Sequence, residues 1–331
     1  MTLPMRRLAG GLVLVLANTA AGSGQVGGPL RLERKIELPD VEGRIDHMSI
    51  DVRTGRLFMA ALGNDTLEVL DLKAAKRVQT LRGLAEPQGI LFVPDANRLF
   101  VANGKDGSVR VFDGSSLTAL QSVPLGDDAD NVRLDAATGR VWVGYGEGAL
   151  AAIDEKGVKA ADVPLGGHPE SFQLERNGPR IFVNVPNARK VAVVDRVKGA
   201  LIASWTTGDA TANFPMALDE GGKRLFVVCR KPARLLVLNT DTGAIVATAP
   251  TVGDADDVFY DQARKRLYVS GGEGAIAVYE QTNADRYKEI AKVQTITGAR
   301  TSFFSPDLRR LCLAARRQGQ ASAAVWIYAV E

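Results

Sequence analysis

The segment Gly55-Arg56-Leu57-Phe58-Met59-Ala60 is the first of seven related segments. It returns as Asn97-Arg98-Leu99-Phe100-Val101-Ala102, Gly139-Arg140-Val141-Trp142-Val143-Gly144 and Pro179-Arg180-Ile181-Phe182-Val183-Asn184. The remaining copies are Lys223-Arg224-Leu225-Phe226-Val227-Val228, Lys265-Arg266-Leu267-Tyr268-Val269-Ser270 and Arg309-Arg310-Leu311-Cys312-Leu313-Ala314. The arginines stand 40 to 44 residues apart. A period of that length built from short β-type segments marks a blade array, because each unit can bury its apolar faces only against its neighbours. The seventh arginine lies close to the end of the 331-residue chain, so the repeat covers nearly all of it.

Three strand signals accompany each arginine. A short strand precedes it: His47–Asp51, Gly89–Val93, Asn131–Asp135, Ser171–Glu175, Pro215–Asp219, Asp257–Asp261 and Thr301–Ser305. The arginine segment itself is apolar at consecutive positions, the pattern of a strand covered on both faces. A hairpin then leads to a third strand such as Leu67–Asp71, Val109–Asp113 or Val191–Asp195. The Gly-x-Gly triplets at Gly146 to Gly148 and Gly272 to Gly274 sit between two strands and open no helix, so they read as hairpin turns, not phosphate loops. A more polar fourth segment, for example Arg77–Leu81 or Ala244–Thr248, makes an outer strand. The seventh unit lacks this segment, and alternating residues at Leu30–Glu33 and Ile36–Leu38 supply it from the other terminus. The expectation is an all-β, seven-bladed β-propeller of four-stranded antiparallel blades, its ring closed by that N-terminal strand.

The domain reading follows. Residues 1–21 form a signal peptide, 22–29 a short linker and 30–331 one propeller. Blades are expected at 44–84, 85–125, 126–166, 167–208, 209–251, 252–297, and 298–331 joined by 30–38. The leader assignment rests on basic Arg6 and Arg7, the apolar run Leu8 to Ala17, and small residues Thr19-Ala20-Ala21. That run is shorter than the roughly 20 residues a membrane span needs. The mature protein is therefore expected in the periplasm or secreted, as a monomer without a transmembrane segment. The chain carries 41 Lys and Arg against 38 Asp and Glu, and the leader takes two of the three net positive charges with it. Such a balance gives no general attraction to nucleic acid. Cys229 and Cys312, the two cysteines, fall on repeated strands of different blades and read as buried, inert thiols.

Units such as Leu99-Phe100-Val101-Ala102-Asn103-Gly104 with Val109-Arg110-Val111-Phe112-Asp113, and Ile181-Phe182-Val183-Asn184 with Val191-Ala192-Val193-Val194-Asp195, resemble the YVTN-repeat, YncE-like β-propeller family. The resemblance spans essentially the whole mature chain. It implies an exported bacterial propeller, related in its WD40-like repeat units to haem d1-carrying domains and propeller lactonases.

Function is expected on the loops that enter the innermost strands, at one mouth of the channel. Ten residues before each repeated arginine stand Asp46, Gln88, Asp130, Glu170, Phe214, Asp256 and Arg300. Neighbouring positions add Arg44, His47, Asp128, Asn131, His168, Asn213, Asp254 and Asp257. Both histidines of the chain fall on this rim, and Gly126–Asn131 and Gly253–Asp257 are near-copies of one acidic loop. So many ionisable groups at one level suit a binding site for a small polar ligand or a protein partner, since unpaired buried charge is costly to a mere core. Acidic loops also cap turns through Asx hydrogen bonds, which needs no ligand. Carboxylates with Asn would suit Ca²⁺ or Mg²⁺, and Asp46, His47, Asp130, His168, Glu170 and Asp256 form the donor set for a divalent or transition metal. The leading expectation is an exported binding or scaffold protein. Its alternatives are a lactonase-like, metal-assisted hydrolase or lyase on the same rim, and a haem d1-like tetrapyrrole-binding propeller. The repeated arginines are expected to be scaffold residues, pairing with Asp71, Asp113, Asp154 or Asp195.

Overall fold

The computed structural model describes Met1, residues 28–154 and residues 156–331, and the rest of the expected leader, residues 2–21, lies outside them. Seven four-stranded antiparallel sheets make up the fold, with two short 3-10 turns, Leu62–Asn64 and Pro186–Ala188, as the helical elements described. Blade 1 runs from its innermost strand Met48–Asp51 through Arg56–Ala61 and Thr66–Asp71 to the outer Lys76–Leu81. Blades 2 to 6 repeat that order. Blade 7 takes Ser302–Ser305, Arg310–Ala315 and Ala323–Val330 from the C-terminus and its outer strand Leu30–Leu38 from the N-terminus. That last pair is antiparallel, with Leu30 opposite Val330 and Leu38 opposite Ala323. Among the described residues no helix is long and apolar enough to cross a membrane.

The consecutive apolar residues of the arginine strands are explained by the seven hydrophobic clusters, each of which spans one junction between blades. Leu57 and Met59 face the last blade, beside Cys312, Ala314 and Val325. Phe58 and Ala60, on the other side of the same strand, face Ile90, Phe92, Leu99 and Val101 of blade 2. Alternation along a strand thus sends successive side chains into different interfaces, and both are dry. The aromatic slot of the repeat fills these junctions: Phe58, Trp142, Phe182, Phe226 and Tyr268 are at most 1% exposed. Cys312 takes that slot in blade 7; it and Cys229 are buried and unpaired, and burial pushes both thiols up to about 12.

The expected role of the hairpin acids needs correction. Of the pairs anticipated for the repeated arginines, only Arg98 with Asp113 forms, at 3.9 Å. The hairpin acids mostly close their own turns. Asp71 Oδ1 accepts the Lys73 and Ala74 amides, and Asp195 Oδ1 accepts those of Val197 and Lys198. The arginines reach instead to the end of the preceding strand or to another segment: Arg56 to Asp51 at 3.4 Å, Arg180 to Glu175 at 2.5 Å, Arg310 to Glu33 at 2.6 Å. Asx turns satisfy orphan amides locally, and a carboxylate already holding two of them has less to offer a guanidinium.

Candidate functional site

The loops entering the innermost strands are held by a repeated backbone pattern. In blades 1, 3 and 4 the amides of Asp46, Asp130 and Glu170 donate to the carbonyls of Ala60, Gly144 and Asn184 on the next strand. In blades 2, 3 and 6 the chain turns through positive φ two residues before the corresponding position, at Glu86, Asp128 and Asp254. Asp tolerates that conformation better than most residues. The carbonyls there receive the amides of Gly104, Gly146 and Gly272. Part of the acidic loop signature therefore serves the turn, while the residue two places on is aimed at the channel. Blades also approach closely: a Cβ on Gly89 would lie 2.0 Å from the Asp130 carbonyl oxygen, so only glycine fits against the backbone of Asp130.

These loops surround a funnel of about 380 Å³ at the channel mouth. Gln88, Asp128, Asp130, His168 and Glu170 line it on blades 2 to 4; Arg44, Asp256 and Arg300 line it on blades 1, 6 and 7. Below, it narrows to a throat of about 20 Å³, bounded by Asp46, His47 and Asn131, with room for roughly one water. Three rim residues stand elsewhere. Asn213 is fully buried between blades 4 and 5, donating to Asn184 Oδ1 at 2.9 Å and the Lys190 carbonyl at 3.0 Å. Asp254 sits to one side, 2.8 Å from Arg300. Asp257 accepts the Ser302 amide at 2.7 Å.

The arginines of the funnel are paired. Arg44 Nη2 lies 2.6 Å from Asp46 Oδ2, and Arg300 Nε lies 3.2 Å from Asp256 Oδ2. Arg230 is the group that the repeat pattern did not reveal. Blade 5 lengthens its second strand to Arg224–Lys231 and uses no glycine in the hairpin Lys231-Pro232-Ala233, which lifts Arg230 to the level of the rim. There it bonds Asp256, donates to the Ala255 carbonyl at 2.8 Å and covers the Phe214 ring at 3.7 Å. Arg133 was also missed. It lies in the channel near Asp257 and Asp130, donating to Asn131 Oδ1 at 3.2 Å, and burial lowers its pKa.

The acids on the opposite wall are not paired in this way. Burial, followed by the charge of Glu170, raises Asp130 to about 7, with His47 pulling the other way. Asp130 is 5% exposed and its Oδ1 has no hydrogen-bond partner; His47 Nε2 is 3.8 Å away. Burial, followed by Asp256 and Asp46, raises Glu170 to about 8, and Arg230 and Arg44 oppose this only through space. Asp256 differs: burial works against its charge, but Arg300 and Arg230 overcome that and hold it below the usual carboxylate range. His168 Nδ1 donates to the Gly146 carbonyl at 2.6 Å and lies 3.7 Å from Asp128. Among the described residues no three His, Cys, Asp or Glu side chains form a group able to hold a metal ion. The carboxyls line a wall and do not converge on a point.

Ring and funnel together define a seven-bladed β-propeller whose ionisable groups gather at one mouth of its channel. Within that class the chain is similar to proteins named YncE. It is 24% identical over 251 residues to proteins named YncE from Salmonella typhimurium and Salmonella typhi, an alignment covering 73% of this chain and 67% of each relative. No family model matches it. Among solved structures it is similar to Kuenenia stuttgartiensis hydrazine synthase, with a TM-score of 0.76 and 16% identity over 88% of this chain and 98% of that one. It also resembles the RRP9 WD40 repeats, with a TM-score of 0.76 and 8% identity over 92% of this chain and 98% of that one. At these identities the likeness is one of fold.

Proposed function

We propose that this protein is an exported binding module whose channel mouth takes a small polar ligand carrying a cationic group. The observation behind this reading is the acidic wall: Asp130, buried with an unpartnered oxygen, beside Glu170, whose carboxyl is held near 8. A buried carboxyl without a partner is costly, and an opposite charge entering the funnel would relieve it. A cavity of about 380 Å³ falls at the small end of ligand pockets. The acids spread along one wall favour an organic cation over a metal ion. The lining offers no flat apolar slot for a tetrapyrrole either, since Arg230 already covers Phe214. Export is proposed from the basic and apolar N-terminal segment.

Ligand-observed NMR on the mature chain with butylamine, putrescine and choline tests the reading. Binding at millimolar concentration or better is expected near pH 8.5. Asp130→Asn and Glu170→Gln are each expected to weaken it about tenfold, the worth of one charge-assisted hydrogen bond. If no amine binds, or if neither substitution changes binding, the acidic wall is not the site.

A further inference from the structure

We propose that the channel mouth is built for a zwitterion, a small molecule whose ammonium end meets Asp130 and Glu170 while a carboxylate or similar oxyanion meets Arg44 and Arg300. This rests on the cation-binding reading above and goes beyond it by naming the ligand's second pole.

The charges around the funnel are segregated by blade. Arg230, Arg300 and Arg44 come from blades 5, 7 and 1, which with blade 6 make one continuous arc. The facing arc of blades 2 to 4 presents Gln88, Asp130, His168 and Glu170 to the cavity and no arginine. The arginine arc is balanced by its own acids, Asp46, Asp254 and Asp256. Among the described residues no arginine hydrogen-bonds Asp130 or Glu170: Arg133 lies near Asp130 but outside the cavity lining, Arg230 and Arg44 act on Glu170 only through space, and Asp130, which lines the cavity, has a buried Oδ1 without a partner.

Balanced charge does not mean exhausted donors. A guanidinium carries five N–H groups in a fixed fork. Arg44 meets one protein carboxylate, through Nη2, and its side chain is 43% exposed at the mouth. Arg300 gives Nη1 to Asp254 and Nε to Asp256. A ligand that is only a cation would answer the acids and leave Arg44's donors to water. One that is only an anion would bring like charge towards Asp130 and Glu170. A zwitterion answers both arcs at once.

The test is calorimetry on the mature chain near pH 8 and low salt, with γ-aminobutyrate and ε-aminocaproate set against butylamine, hexylamine and butyrate. At least one amino acid is expected to bind about tenfold tighter than the amine of equal length. Arg44→Gln is expected to remove that advantage without weakening the amine, and Arg44→Lys, which keeps the charge but not the fork, to retain part of it. Glu170→Gln is expected to weaken both classes. Amines that bind as tightly as the amino acids would overturn the zwitterion while leaving the cation site standing. Failure of every amine and amino acid, or tightest binding by butyrate, would overturn both. A circular-dichroism melt of each variant separates lost binding from lost folding.

Discussion

Asp130 and Glu170 are where burial and chemistry conflict most openly. Each is held in the folded protein above its ordinary value, to about 7 and about 8. A carboxyl raised on folding adds stability below its unfolded value, and that stability is lost as pH climbs through the folded value. The relevant window therefore runs from about pH 4 to pH 8. Glu170→Gln, which cannot ionise, should stabilise the free protein at about pH 9 by on the order of 1–3 kcal/mol and make no difference near pH 4. Thermal melts across that range would check this, and an equal effect at both ends would show that Glu170 is not held neutral by its surroundings. The rim position of these residues was legible in the sequence because the count back from each repeated arginine is constant. Their raised values were not, since they depend on which neighbouring acid has an arginine of its own. For Asp256 those arginines are Arg300, which the count reaches, and Arg230, which lies outside the counted register.

Strands were the most legible elements, and for a definite reason. A strand buried on both faces must be apolar at successive positions, and Leu57-Phe58-Met59-Ala60 serves two different interfaces. The fates of the polar hairpin residues were harder to read. Asp71 and Asp195 could close a turn or pair with an arginine, and geometry within a few residues settled it for the turn. The N-terminal strand Leu30–Leu38 makes a sharper case, since its partner Ala323–Val330 lies at the far end of the chain. It buries Ile36 and Leu38 against blades 7 and 1 and covers the open edge of Ala323–Val330. Deleting residues 28–38 should cost on the order of 5 kcal/mol, a large part of what holds a domain folded. A synthetic peptide of those residues should restore part of the loss in a thermal melt. A truncated chain that melts like the intact one would mean the ring does not depend on this closure.

Closure of the ring is what turns scattered residues into a site. Arg44 and Arg300 are 256 positions apart in sequence, yet they line the same funnel wall. No local motif could announce this, because the groups meet only when seven blades share a hub. The fold supplies rigidity as well: each blade is locked to the next by a dry cluster, so the funnel wall cannot relax freely to bring a cation to Asp130. The strain of an unanswered carboxyl is then retained, and the proposed ligand would relieve it. Site-selective ¹³C-carboxyl NMR titration of Asp130 and Glu170, without and with a saturating amine, measures this directly. Midpoints near 7 and 8 in the free protein, both moving down when the amine is bound, are expected; midpoints in the ordinary range near 4, or no movement with the amine, would contradict it.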